Sequence, residues 1–177
     1  MFLEKLKNIS AFVLDVDGVL TNGTLLLTEA GEQLRQFNIK DGYALQLAVK
    51  KGFKIAVISG AKSKGVEARI KGLGIKDVFL GVDSKPEVYH DFLNSSGLSS
   101  GQVLFIGDDI PDLQLMKLAG LSACPSDAVE EIKALADYIS PRKGGDACVR
   151  EILEKVLKIQ GCWLDDEVSA SDGSQTN

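Results

Sequence analysis

Nowhere in this sequence do about eighteen apolar residues run together, so no membrane-spanning helix is expected. The opening Met1-Phe2-Leu3-Glu4-Lys5-Leu6-Lys7 alternates charge with apolar residues and lacks the unbroken hydrophobic stretch of a signal peptide. Cysteine is scarce. Cys124, Cys148 and Cys162 are odd in number and form no Cys-x-x-Cys pair, which indicates neither a disulfide framework nor a zinc site and leaves a reducing cytoplasm as the expected location. A basic surplus is also missing: 20 Lys plus Arg stand against 25 Asp plus Glu, for a net charge of -5, and the basic residues are scattered. Without a basic stripe, nucleic acid is not an expected partner. The one histidine, His90, falls mid-helix beside Tyr89 and Asp91 and reads as a surface residue rather than a base. The Gly-x-Gly-x-x-Gly and Gly-x-x-x-x-Gly-Lys-Ser/Thr loops of nucleotide-binding chains are absent, so any phosphate would be handled by other groups.

With 177 residues, 45% of them hydrophobic, the chain suffices for one domain with a full core. Short apolar runs alternate with helical segments: Phe12 to Leu14, Phe53 to Ile58, Val78 to Leu80, Val103 to Ile106, Leu121 to Cys124 and Tyr138-Ile139. Helices are expected from Asp41 to about Lys51, from Ser63 to Lys71, opening at Asp83-Ser84-Lys85-Pro86, from Pro111 to Ala119, from about Asp127 to Ala136, and through Val149, Ile152, Leu153, Val156 and Leu157. This order implies an α/β fold, a doubly wound, Rossmann-like and mostly parallel sheet with helices on both faces. Leu25 to Thr28 and Gln33 to Ile39, flanking Gly31, read as a small β-hairpin flap. Its consecutive leucines would put apolar groups on both faces of a ribbon that one domain can cover on one side only, so a second subunit is the expected cover. The domain is expected to span 1–160. From Gly161 the sequence turns acidic and polar, and 161–177 reads as a flexible tail.

The chemistry-bearing residues fall at one place in each unit, after the strand. Asp15 and Asp17 follow the first strand, Ser59 and Gly60 end the second, Lys85 comes shortly after the third, and Asp108 and Asp109 follow the fourth. In a doubly wound sheet these positions converge on one edge. Two carboxylates spaced i, i+2 at the mouth of an apolar strand repel each other and are tolerable mainly with a cation or a shared proton, for which a hard divalent metal is the natural candidate. Taken singly, Asp-x-Asp is a solvated turn, Ser-Gly a helix cap, Lys85 a surface lysine and Gly-Asp-Asp a turn. Only their order gives them joint meaning.

That ordered set, Asp15-x-Asp17-Gly18-Val19, Ser59-Gly60, Lys85 and Gly107-Asp108-Asp109-x-x-Asp112, resembles the haloacid dehalogenase-like superfamily of phosphotransferases over residues 11 to about 124. The resemblance implies Asp15 as the nucleophile, Asp17 as general acid and base, and Mg²⁺ between Asp15, Asp108 and the backbone carbonyl of Asp17. It further implies Ser59, Gly60, Lys85 and Asp17 as phosphate- and substrate-binding groups, with Ser59 and the amides of Gly60 and Ala61 at a helix start. Asp109 is expected to position Lys85 or a metal-bound water, and Asp112 to stand behind the metal. The intervals between motifs leave no room for a cap domain. At a finer level Asp15 to Gly23, Phe37 to Tyr43, Ala136-Asp137-Tyr138 and Gly144-Gly145 with Val149-Arg150-Glu151 resemble the 3-deoxy-D-manno-octulosonate 8-phosphate phosphatase family, which implies a sugar-phosphate substrate, lipopolysaccharide biosynthesis and a homotetramer. Ala61-Lys62 and Lys40 depart from that family's usual arginines. Lys40, Lys62, Arg69, Arg142 and Lys143 are the candidate ligands for a substrate carboxylate. The alternatives are a phosphatase for a nine-carbon sialic-type acid 9-phosphate and a non-catalytic oligomerisation domain. A signalling receiver domain would place its acidic pair on the first strand and a lone acceptor Asp on the third, unlike the order here.

Overall fold

Runs of consecutive apolar residues become strands buried on both faces. The computed structural model describes residues 2–164. In chain order they form α1 (Phe2–Lys7), β1 (Ala11–Leu14), β2 (Leu26–Leu27), β3 (Gln33–Leu34), α2 (Ile39–Lys50), β4 (Lys54–Ser59), α3 (Lys64–Gly72) and β5 (Asp77–Leu80). There follow α4 (Lys85–Ser96), β6 (Val103–Ile106), α5 (Leu113–Leu118), β7 (Leu121–Cys124), α6 (Glu130–Lys133), β8 (Tyr138–Ile139) and α7 (Cys148–Ile159). Six strands make one sheet in the order β5-β4-β1-β6-β7-β8, and every pairing in it is parallel. Phe12, Leu14, Ile55, Val57, Leu104 and Ile106 face the layer of α1, α2, α3 and α7. Ala11, Val13, Ala56, Ile58, Val103 and Phe105 face α4, α5 and α6. Each fully buried side chain of this size contributes about 1.5–3 kcal/mol, which is why β1 tolerates no polar residue before its end. The fold is the doubly wound α/β class, and among the described residues no cap domain interrupts it.

Chain order places the site. The sheet grows from β1 outward through β4 to β5, then returns to the other side of β1 as β6, β7 and β8. The crevice between the diverging connections of β1 and β6, at the carboxyl ends of the strands, is the topological switch point. The other sheet is the hairpin β2-β3, in which Leu26 pairs with Leu34 and Leu27 with Gln33.

Several boundaries differ from the sequence expectation for identifiable reasons. The hairpin is shorter because Asn38 leaves it to cap α2, accepting from the Lys40 amide at 2.9 Å, so the helix starts at Ile39. Helix α1 is not legible from its mixed sequence. Leu6 anchors it in the core, and the Gln160 amide donates to the Leu6 and Ile9 carbonyls at 2.8 Å each. A 3-10 turn at Ile110–Asp112 precedes α5. Helix α6 begins late because Asp127, rather than opening it, accepts from the Gly144 amide at 2.9 Å. The described residues beyond α7 pack against α2 and α7. Trp163 meets Tyr43 edge-on at 6.2 Å, and the Arg150 guanidinium lies 5.0 Å from the Trp163 ring. Of the expected acidic tail, 165–177 lies outside the described residues. Among the described residues no helix is long and apolar enough to cross a membrane.

Candidate active site

Asp15 directly follows the last residue of β1, and its amide donates to the Ile106 carbonyl at 3.0 Å, which fixes the loop after β1 against β6. Gly18 lets the two loops close. It has φ +86°, and a side chain there would overlap the Asp108 carboxylate, so only glycine admits Asp108 to the crevice. Thr21 braces the same loop by accepting from the Gly18 and Gly23 amides at 3.3 Å. Gly144 presses from outside, where a Cβ would overlap the Gly18 carbonyl.

Within this frame Asp15, Asp108 and Asp112 each bring a carboxylate oxygen within 4.8 Å of the others. Lys85, the first residue of α4, places Nζ 3.1 Å from Asp15 Oδ1 and 2.6 Å from Asp112 Oδ1. Asp112 is 1% exposed and already engaged, because its other oxygen accepts from the Asp108 amide at 2.9 Å. Asp108 Oδ1, by contrast, is buried and has no partner. Burial, then the Asp15, Asp112 and Asp109 charges, pushes the Asp108 carboxyl up to about 8. Burial and the Asp112 charge raise Asp15 to about 6 although Lys85 opposes the shift. Burial disfavours the Lys85 charge, but Asp15 and Asp112 outweigh it and hold the ammonium above its ordinary range. An orphaned buried carboxylate oxygen beside a second carboxylate, all donors being oxygen, fits a hard divalent cation. Asp15 and Asp108 are the side chains that would hold it, with Asp112 and Lys85 as support.

Asp15, Asp17, Ser59, Gly60, Lys85 and Asp108 all line one open cleft of about 960 Å³, with Asp109 and Asp112. The Asp17 carboxylate lies outside the three-aspartate cluster. Its oxygens accept instead from Arg35 Nε at 2.7 Å and Arg35 Nη2 at 3.0 Å. Arg35 stands just past β3, and sequence reasoning passed over it because the pairing joins segments eighteen residues apart. Two details differ from the expectation. Asp109 does not reach Lys85. It caps its own turn, accepting from the Ile110 amide at 2.7 Å, and Asp112 holds the lysine. The amides of Gly60 and Ala61 do not start a helix. Ser63 caps α3, accepting from the Val66 amide at 3.3 Å, while the Ala61 amide donates to Ser59 Oγ at 3.3 Å. Within one chain, the candidate carboxylate ligands Lys40, Lys62, Arg69, Arg142 and Lys143 are not among the residues lining this cleft. Lys40 and Arg142 line a separate groove of about 470 Å³, Lys62 lies along Gly81, and Arg69 packs over Gly42.

The family model described as haloacid dehalogenase-like hydrolase matches residues 39–120. The 3-deoxy-D-manno-octulosonate 8-phosphate phosphatase of Escherichia coli is 36% identical over 159 residues, covering 90% of this chain and 85% of that protein. The chain belongs to this phosphatase family of haloacid dehalogenase-like hydrolases. Like its relatives it is a phosphoric monoester hydrolase. The family member from Moraxella catarrhalis, solved in complex with magnesium ion, phosphate ion and KDO, superposes with a TM-score of 0.89 at 33% identity, covering 96% of this chain and 97% of that one. The cobalt-bound phosphatase of Haemophilus influenzae gives 0.86 at 34%, covering 90% and 93%. Both of these solved relatives thus carry a divalent metal ion.

Proposed function

We propose that the chain hydrolyses 3-deoxy-D-manno-octulosonate 8-phosphate with Mg²⁺ held by Asp15, Asp108 and the Asp17 carbonyl. The observation that carries this reading is the meeting of Asp15, Asp108 and Lys85 in one cleft, in a chain related to a phosphatase solved with magnesium, phosphate and KDO. When bound, Mg²⁺ supplies the positive charge that screens the carboxylates from an anionic ester and polarises the phosphoryl oxygens. Asp15 then attacks phosphorus, and the P–O bond to the sugar breaks as Asp17 protonates the departing oxygen. In the second half Asp17 takes a proton from water, which attacks the aspartyl phosphate and releases inorganic phosphate and free Asp15. Ser59, the Gly60 amide and Lys85 hold the phosphoryl oxygens. Phosphate release measured across sugar phosphates with and without Mg²⁺ tests this. Turnover of the eight-carbon acid ester, lost when Mg²⁺ is chelated, is expected. Preference for a nine-carbon acid 9-phosphate would move the substrate, and no turnover of any ester would favour a non-catalytic module.

The flap supports a homo-oligomer, which we take to be a tetramer in the cytoplasm. Leu25, Leu26, Leu27 and Leu34 stay 45%, 68%, 65% and 47% exposed on the hairpin, and Ile39 beside it 80%, an apolar patch that a second copy would cover. The three cysteines are free thiols, consistent with a reducing compartment. Leu26→Asp is expected to convert the assembly to smaller species in sedimentation; a wild-type chain that sediments as a monomer contradicts the proposal.

A further inference from the structure

The cleft carries a charge problem that the residues named so far do not solve. Six aspartates and two lysines line it. Lys85 is already engaged by Asp15 and Asp112. An anionic ester entering a cleft with six aspartates against Lys85 and Lys117 needs cationic partners beyond the metal and these two ammonium groups. One contact outside the lining stands Arg35, whose guanidinium forms a bidentate fork on Asp17 and spends its remaining nitrogen, Nη1, on the Gln33 carbonyl at 3.3 Å. The same fork fits a carboxylate or a phosphoryl group equally well. While it stays on Asp17, the guanidinium occupies both carboxylate oxygens. Arg35 stands just past the two residue pairs of the hairpin, on a segment that no ladder hydrogen bond of that ribbon holds.

We infer that Arg35 is an exchangeable latch. In the free chain its guanidinium closes on Asp17; when the substrate binds, it passes to an anionic oxygen of the substrate, which frees Asp17 for the reacting atoms. This rests on the phosphatase reading above and assigns a specificity role to a residue outside the motifs. An exchange implies competition, so Asp17 and the ligand contend for the same guanidinium.

A double-mutant cycle on ligand binding reads that competition without requiring turnover. Mg²⁺-loaded wild type, Asp17→Ala, Arg35→Met and Asp17→Ala/Arg35→Met are titrated calorimetrically, first with inorganic phosphate and separately with the eight-carbon sugar acid lacking phosphate. The latch predicts that Asp17→Ala binds about tenfold more tightly than wild type, as a freed charge-assisted pair requires, and that the gain vanishes when Arg35 is also replaced. A gain with phosphate assigns the phosphoryl oxygens as the new partner; a gain with the sugar acid assigns its carboxylate. Arg35→Lys, which keeps the charge and loses the fork, restores part of the gain and serves where Arg35→Met melts early. An Asp17→Ala gain that survives without Arg35, or no gain with either ligand, overturns the latch. Absence of ester hydrolysis by the wild type would instead overturn the phosphatase reading and leave the binding cycle interpretable.

Discussion

Asp15→Asn is expected to lower phosphate release by about 10⁴-fold or more while leaving the fold intact, because the change removes the attacking oxygen's charge and almost no volume. Two assays check it, steady-state phosphate release and thermal melting. The melting result has a definite sign. Folding raises the Asp15 carboxyl from 3.8 to about 6, so its stabilising contribution is complete below about 4 and is lost as pH rises through 6. At pH 8 without metal the ionised Asp15 therefore opposes folding, and the neutral amide removes that cost. The variant should melt no lower than wild type there. Lys85 keeps Asp112 at 2.6 Å as its partner, which protects it from isolation. An Asp15→Asn protein that turns over normally would contradict the covalent route.

The second large effect belongs to Asp108. Asp108→Asn is expected to lower turnover by about 10²–10³-fold and to abolish the melting shift that Mg²⁺ produces. In metal-free wild type the folded state raises Asp108 to about 8 and Asp15 to about 6, so stability falls as pH climbs from about 4 through 8. Mg²⁺ must displace any protons from these carboxylates, so its stabilising shift is larger at pH 8 than at pH 5. Asp41 is a built-in control. Burial raises it to about 6 too, yet it lies at the amino end of α7, where Oδ1 accepts from the Arg150 amide at 2.7 Å. Its share of the pH dependence persists with Mg²⁺ present. A Mg²⁺ shift that survives Asp108→Asn, or that is greatest at pH 5, contradicts the assignment.

What was legible in the sequence follows from how local each signal is. β1, β4 and β6 announce themselves because strands covered on both faces read as unbroken apolar runs, and the acids placed just past them inherit their position from chain order alone. Asp15 and Asp108 could therefore be brought together on paper. Asp109 and Asp112 could not be sorted, since one 3-10 turn decides which of the two faces Lys85. Ser59-Gly60 looked like a helix start because Ser63, four residues on, is an equally good cap. Asn38 was assigned to the hairpin although its side chain begins α2. Arg35 gave the least warning. Its role depends on the segment just past β3 folding back onto the loop after β1, and no local pattern in that segment marks it. Charge alone nominates the lysines and arginines for a substrate carboxylate, and within one chain Arg69 packs over Gly42 and Lys62 along Gly81.

The most direct test of the whole account asks which atom receives the phosphoryl group. Wild-type protein is quenched in acid during turnover, treated with borohydride, which reduces an acyl phosphate to an alcohol, and mapped by peptide mass spectrometry. Homoserine at position 15, and at no other aspartate, is the predicted result. Sustained turnover with residue 15 recovered only as aspartate, or the reduced residue found at 17 or 108, would contradict it.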